Sequence, residues 1–244
     1  FRDIYNSSKT GLITSIEANP YLIYEGKYIQ NVLVKVLNVN GFSVYDTLRT
    51  PKSKLEKFAN NIHTTTQTKV LKEQFLLFSA GQPLKSKVLQ DNERLLRNTN
   101  IFHDARILVN ENPTDPTKVD VLVIVQDVWS LIPYVKYSST QNFWLGLDQI
   151  NYKGRGHSFN NRIAFQPTYP KQKYGFSSSY SIPSIIPKSY VQGDFLARYT
   201  YDQKILSAKI SRQFLRPDTK WAGSSELGVS KKRTITYDKS DSIK

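Results

Sequence analysis

The run from Val119 to Ser138 constrains this chain more than any other stretch. It begins with Val119, Val121, Val123 and Val125, with Leu122 and Ile124 between them. Apolar, mostly β-branched residues on both faces describe a strand covered on two sides and central in its sheet. From Trp129 the pattern changes, and Trp129, Leu131, Val135 and Tyr137 alternate with Ser130, Lys136 and Ser138. A strand with two unlike faces belongs to a different kind of sheet. The spacing therefore predicts a junction of two domains near Asp127–Trp129, with helices only before it.

Ahead of the junction the sequence reads as an α+β layer. Ile29, Val32, Val34, Val36 and Val39 make Lys27–Val39 a strand. Residues 42–67 are less regular and read as an insertion, with a short helix over Ser53–Ala59 capped by Ser53. Val70, Leu71, Phe75 and Phe78 predict a helix over Thr68–Ser79, stopped by Gly81. Val88, Leu89, Leu95 and Leu96 predict a second over Lys85–Asn98. Ala105, Ile107 and Val109 mark a short strand, Phe102–Asn110, which the polar loop 111–117 turns back into Val119–Gln126. The expected order is strand, helix, helix, strand, strand, with helices on one face and the valine run central. Residues 1–23 read as a linker or the end of a preceding domain.

After the junction only strands are expected. Phe159, Ile163 and Phe165 oppose Asn160, Arg162 and Gln166, and Leu206, Ala208 and Ile210 oppose Ser207, Lys209 and Ser211. Similar alternation runs through Tyr174–Ile182 and Val191–Tyr199. A soluble sandwich and a membrane barrel share that pattern. Three features favour the barrel. Strands of about 9–11 residues suit a tilted bilayer crossing. Trp129, Trp144, Tyr152, Tyr169, Tyr201 and Trp221 fall near strand ends, as an interfacial belt does. One face is too polar for a dry core yet suits a hydrated lumen.

Composition narrows the choice further. No run of about 18 apolar residues occurs, so a transmembrane helix is not expected. Cysteine is absent, which removes disulfides and thiolate chemistry. Methionine is absent too and the chain opens on Phe1, so these 244 residues read as an internal piece of a longer protein. The net charge of +14 calls for nucleic acid, anionic headgroups or a solvated basic face. Lys and Arg are spread over helices, strands and loops instead of one aromatic-rich surface, so nucleic acid is not the expected partner.

Gly81-Gln-Pro-Leu84, Asn92-Glu-Arg-Leu-Leu-Arg97, Phe102-His-Asp-Ala-Arg-Ile107 and Val119–Val125 resemble, in that order, the pattern of a POTRA (polypeptide-transport-associated) domain. Asn151-Tyr-Lys-Gly-Arg-Gly156, and Ser211–Pro217 with Lys220-Trp-Ala-Gly223, resemble a turn and a hairpin of early barrel strands. Together they resemble the bacterial outer-membrane assembly family typified by BamA and TamA, also called the surface-antigen family. The resemblance implies a βααββ POTRA domain over 24–127, with an insertion near 42–67. An incomplete antiparallel transmembrane β-barrel would follow over 128–244. It further implies a protein of the bacterial outer membrane, its POTRA domain in the periplasm, that inserts or translocates other outer-membrane proteins. The implied partners are unfolded outer-membrane clients, accessory assembly subunits and outer-membrane lipid. A two-partner-type secretion pore and a soluble basic β-rich nucleic-acid-binding or scaffold protein are the alternatives.

The candidate partner site is the edge strand Ala105, Arg106, Ile107, Leu108 and Val109. An unpaired edge templates an incoming extended chain through main-chain hydrogen bonds. A solvated edge blunted by Arg106 fits those residues equally well. By resemblance, a lateral barrel seam falls on Trp129, Leu131, Pro133, Val135 and Tyr137. Asn151, Gly154 and Gly156 read as a tight structural turn, since a phosphate loop would need a following helix where a strand is expected. His63, His103 and His157 are far apart, so no metal is expected. Asp115, Asp120 and Asp127 read as edge or turn residues. No catalytic residue or cofactor is assigned, and enzymatic activity is not expected.

Overall fold

In a computed structural model, described for residues 19–46, 50–139, 142–167, 169, 172–214 and 219–233, the chain forms two sheets. The smaller has three strands, β1 (Tyr28–Leu37), β2 (Phe102–Glu111) and β3 (Lys118–Asp127), in the spatial order β1-β3-β2. β1 runs parallel to β3, and β2 antiparallel to it. The larger sheet is a seven-stranded antiparallel meander of β4 (Leu131–Ser139), β5 (Asn142–Tyr152), β6 (His157–Phe165), β7 (Tyr174–Ile182), β8 (Val191–Tyr199), β9 (Gln203–Arg212) and β10 (Gly223–Lys232). Its edges are β4 and β10. The linker expected at the N-terminus lies, over 1–18, outside the described residues, as does the 215–217 part of the hairpin motif.

The fold class expected from sequence is corrected on two points. Among the described residues 48% lie in strands and 15% in helices, so the chain is mostly β. The βααββ POTRA order is not present, because three short helical segments stand between β1 and β2. They are α1 (Lys54–Ile62), α2 (Thr68–Val70, running on as a π-turn over Leu71–Phe75) and α3 (Ser86–Arg97). The large sheet is an open sheet among the described residues, not a closed barrel.

Local chemistry explains both changes in the helices. Glu56 N–H donates to Ser53 Oγ and Ser53 N–H to the Glu56 carboxylate, each at 3.0 Å. This reciprocal pair satisfies donors at the helix start and makes α1 a true helix within the irregular stretch. The helix expected over Thr68–Ser79 ends at Phe75, where Leu76 turns extended. Asn92 of α3 holds that exit: its amide donates to the Phe75 carbonyl (2.9 Å) and its Oδ1 accepts from Leu77 N–H (2.8 Å). The apolar residues Leu76 and Phe78 are buried all the same, on an extended segment.

β3 is central and covered on both faces. Val119, Val121, Val123 and Val125 lie fully buried in a core with Leu71 and Phe75 of α2 and Leu89 and Leu96 of α3. On the opposite face Ile124 meets Leu37, at the end of β1, and Val44, from the segment that follows it. The Gln126 amide pins that segment by donating to the Val39 and Phe42 carbonyls. Leu89→Ala should cost about 2–5 kcal/mol in chemical unfolding, since the side chain is fully buried. Leu33→Ala, at an exposed position of β1, should stay within about 0.5 kcal/mol.

Candidate functional site

The two sheets meet at a buried polar cluster. Asp127 closes β3, and four residues later Leu131 opens β4. The Asp127 carboxyl group has no exposed surface and accepts three hydrogen bonds. They come from Thr66 N–H (2.8 Å), the Thr66 hydroxyl (2.7 Å) and His63 Nε2 (3.1 Å). The other ring nitrogen of His63, Nδ1, faces the Ser130 hydroxyl at 3.4 Å. Ser130, His63 and Asp127 thus stand in the order of a nucleophile, a base and an orienting acid. A nucleophile must meet its substrate, and Ser130 is only 4% exposed with a long bond to the ring. The cluster has the geometry of a clasp.

The β5–β6 turn closes the clasp from the other side. Asn151 donates to the Thr66 hydroxyl (2.7 Å) and accepts from Gly156 N–H (2.7 Å), so one side chain ties the turn to the helical layer and to itself. Gln67 N–H donates to the Gly154 carbonyl (2.9 Å), and its side-chain amide to that of Lys153 (3.0 Å). Gly154 and Gly156 have left-handed backbones, φ +70 and +71. A Cβ on Gly154 would stand 2.3 Å from the Thr65 carbonyl oxygen, and one on Gly156 would stand 2.9 Å from the Phe75 ring. Both glycines are needed for space as well as for φ. One turn further along the sheet, Tyr190 donates its hydroxyl to the Phe75 carbonyl at 2.6 Å.

The predicted edge strand is where expected, but its edge is occupied. Among the described residues β2 pairs only with β3, leaving its other side toward α3 and Tyr21. Ile107 N–H donates to Glu93 (2.7 Å), and Arg97 Nε donates to the Ala105 carbonyl (2.9 Å). The Tyr21 hydroxyl donates to Glu93 (2.6 Å) and lies 3.2 Å from the Ile107 carbonyl. Arg97 also pairs with Glu93 (2.7 Å) and Asp104 (3.0 Å). Burial opposes its charge, but those two carboxylates outweigh it and raise its pKa. Burial, then the Glu93 carboxyl group, push the Tyr21 pKa far above its ordinary 10.0. A raised pKa stabilises the fold fully below pH 10.0, and the contribution is lost as pH rises through the shifted value. An added strand would pair with this edge only by displacing side chains from Ala105 and Ile107. Arg106 itself stacks 5.0 Å over the Tyr45 ring, and a cleft of about 830 Å3 runs past Tyr24, Gln90, Arg94 and Val109.

Of the predicted seam residues, Leu131, Pro133, Val135 and Tyr137 lie on β4, an edge strand, where a proline without an N–H is tolerated. Trp129 precedes the strand and donates its indole N–H to the Leu131 carbonyl. Register places Val135, Leu145, Ile163, Phe176 and Tyr199 side by side on one face, and a second row runs through Ala197, Leu206 and Val229. At the end away from the helices, Tyr137, Phe143, Phe165 and Tyr174 form an aromatic row in register. The opposite face is polar and internally paired. Arg162 bridges Asp148 (2.6 Å) and stacks 3.8 Å over Tyr134, and Ser181 donates to Asp194 (2.7 Å).

No family model matches the chain, and no curated protein matches it. Among solved structures it is similar to BamA from Haemophilus ducreyi lacking POTRA domains 1–3, at 14% identity and a TM-score of 0.48. The alignment covers 82% of this chain and 35% of that one, so the chain spans about a third of its length. An identity of 14% fixes neither family nor activity.

His63, Thr66, Tyr21 and Glu93 carried no sequence signal for these roles. The spacing of Glu93 and Arg97 at i,i+4 was the one local hint. Gly154→Ala should destabilise by at least about 2 kcal/mol, from strain plus the clash with Thr65. Gly26→Ala, with a similar φ but nothing within 4 Å, should cost about 1 kcal/mol; thermal unfolding of both variants checks the contrast. Glu93→Ala should speed amide exchange at Ile107 about tenfold or more, equivalent to about 1–3 kcal/mol for the lost acceptor, with the Val123 amide unchanged.

Proposed function

We propose that the large sheet is part of the wall of an outer-membrane β-barrel, and that the protein works in inserting or translocating other outer-membrane proteins. The observation that carries this reading is a largely apolar face that spans all seven strands, its one polar break at mid-face being Asn161 and Ser178, which hydrogen-bond to each other at 2.8 Å. Val135, Leu147, Ile163, Phe176, Phe195, Leu206, Leu227 and their neighbours are exposed there to an extent that soluble monomers rarely leave uncovered. Six strand-to-strand steps of about 4.8 Å make the face roughly 30 Å wide. With strands of nine to eleven residues it well exceeds the about 300–600 Å2 of the largest patch on an ordinary soluble monomer. Bilayer hydrocarbon fits this face, and a hydrated lumen fits the side of Arg162, Asp148 and Asp194. The row Tyr137, Phe143, Phe165 and Tyr174 supports one membrane interface. The helical layer and small sheet then lie on the periplasmic side, joined to the wall by the Asp127 clasp.

In this reading the work is done without bond chemistry, and the driving free energy is the folding and lipid burial of the client. The β4 edge, beside the clasp, is the place where a client strand adds to the wall by main-chain pairing. The paired polar face argues against the nucleic-acid alternative, because its arginines are engaged with Asp148, Ser177 and Gln203.

An arginine in the lipid-facing side should impair assembly and one on the other side should not. Leu147→Arg should cost about 2–4 kcal/mol in refolding into lipid vesicles, the expected penalty near the midplane. Ser179→Arg should refold within about 1 kcal/mol of the parent protein. Equal penalties for the two would remove the assignment of faces, and full solubility of the intact protein without detergent would remove the barrel.

A further inference from the structure

The apolar face is not uniform. A trough crosses it at β8, β9 and β10, with Ala197 and Ala208 as its floor and Phe195, Leu206 and Leu227 as its walls. Its volume is about 610 Å3, within the about 300–1,000 Å3 of small-ligand sites. A second hollow, of about 350 Å3, shares Ala197, Leu206 and Val229 with the first. It carries the trough toward the end of the sheet away from the helices, where Tyr199, Lys204 and Lys231 stand.

Those two lysines are direct cross-strand partners, on the same face as the Leu206–Val229 pair two residues further in. Like charges directly opposite each other weaken a strand pair. Neither lysine has an ion pair among the described residues. Lys204 rests 4.3 Å from the Tyr199 ring centroid, which places its ammonium at the head of the hollow. An anion between the two would replace repulsion with two charge-assisted contacts. Lysines at a membrane interface commonly snorkel toward water. That habit does not require two of them in register at the mouth of an alanine-floored trough.

We propose that this trough is a binding site for a phospholipid of net negative charge from the surrounding bilayer, with an acyl chain over Ala197 and Ala208 and the anionic headgroup between Lys204 and Lys231. The proposal rests on the reading of this face as lipid-facing. It adds to that reading a fixed lipid at one place on the wall, where a general bilayer contact would show no preference.

The test uses the intact protein in phosphatidylcholine vesicles, with and without phosphatidylglycerol. Flotation with the neutral vesicles reports membrane insertion. Native mass spectrometry of the extracted protein reports which lipid is retained. Wild type should float in both and retain phosphatidylglycerol with a preference of about 25-fold, two lysines at about fivefold each. Lys204→Gln with Lys231→Gln should float equally well and retain the two lipids within about twofold of each other. Ala208→Leu should reduce retention of phosphatidylglycerol by filling the trough while leaving both lysines in place. Flotation without preference in wild type, or an undiminished preference in the double variant, would overturn the lipid site alone. Failure of wild type to float would remove the membrane reading and the site with it.

Discussion

Asp127 sits where the small sheet ends and the large one begins, and its carboxyl group has no contact with water. Burying an acceptor of that kind is costly unless its oxygens are met by donors. Here the donors come from Thr66 and His63, on the segment between α1 and α2. Thr66 passes the connection to Asn151, and Asn151 to Gly156. A shift of the helical layer, of β3 or of the β5–β6 turn would each strand a buried polar group. The orientation of the large sheet against the helices is therefore tied to this carboxyl group, alongside the packing of Gly156 on Phe75 and the Tyr190 hydrogen bond.

Much of the strand architecture was legible in the sequence, and the reason is periodicity. The valine run of β3 announces burial on two faces because apolar residues occupy both parities, and the structure supplies a cover for each. The alternation in β6 and β9 likewise predicts the two unlike faces that the registers then align. What could not be read were features that rest on side chains meeting across long separations. The end of α2 at Phe75 depends on Asn92, and nothing in Thr68–Ser79 itself says that the helix stops. The cover over β2 depends on Tyr21, which meets Ile107 from 86 residues away. Asp127 looked like a turn residue because its partners, 61 and 64 residues earlier, are ordinary polar residues in an irregular stretch.

The aromatic row shows the same limit in another form. Proximity to strand ends pointed to Trp129, Trp144, Tyr152, Tyr169, Tyr201 and Trp221. In the structure Trp144 shares the side of Lys136 and Ala164, and Tyr169 and Tyr201 stack on each other at 3.8 Å in the loops. The aligned row is made by Tyr137, Phe143, Phe165 and Tyr174 instead, because register, and not distance from a turn, decides which side chains stand level across a sheet. The polar face was more predictable in kind than in detail: its charges were visible, whereas the pairing of Arg162 with both Asp148 and Tyr134 needed the neighbouring strands in place.

The parallel pairing of β1 with β3 carries a consequence for timing. Asn31 and Asp120 are hydrogen-bonded partners 89 residues apart, and closing so long a loop is slow compared with forming the adjacent hairpins of the large sheet. β1 has no place to settle until β3 exists, and β3 is complete only with Asp127. During synthesis or passage through a channel, the small sheet and the Asp127–Thr66–His63 half of the clasp can therefore form once Asp127 has emerged, whereas Asn151 joins only after β5. The chain thus carries its own order of operations: one half of the anchor precedes the first wall strand, and the first hairpin of the wall brings the other half to it.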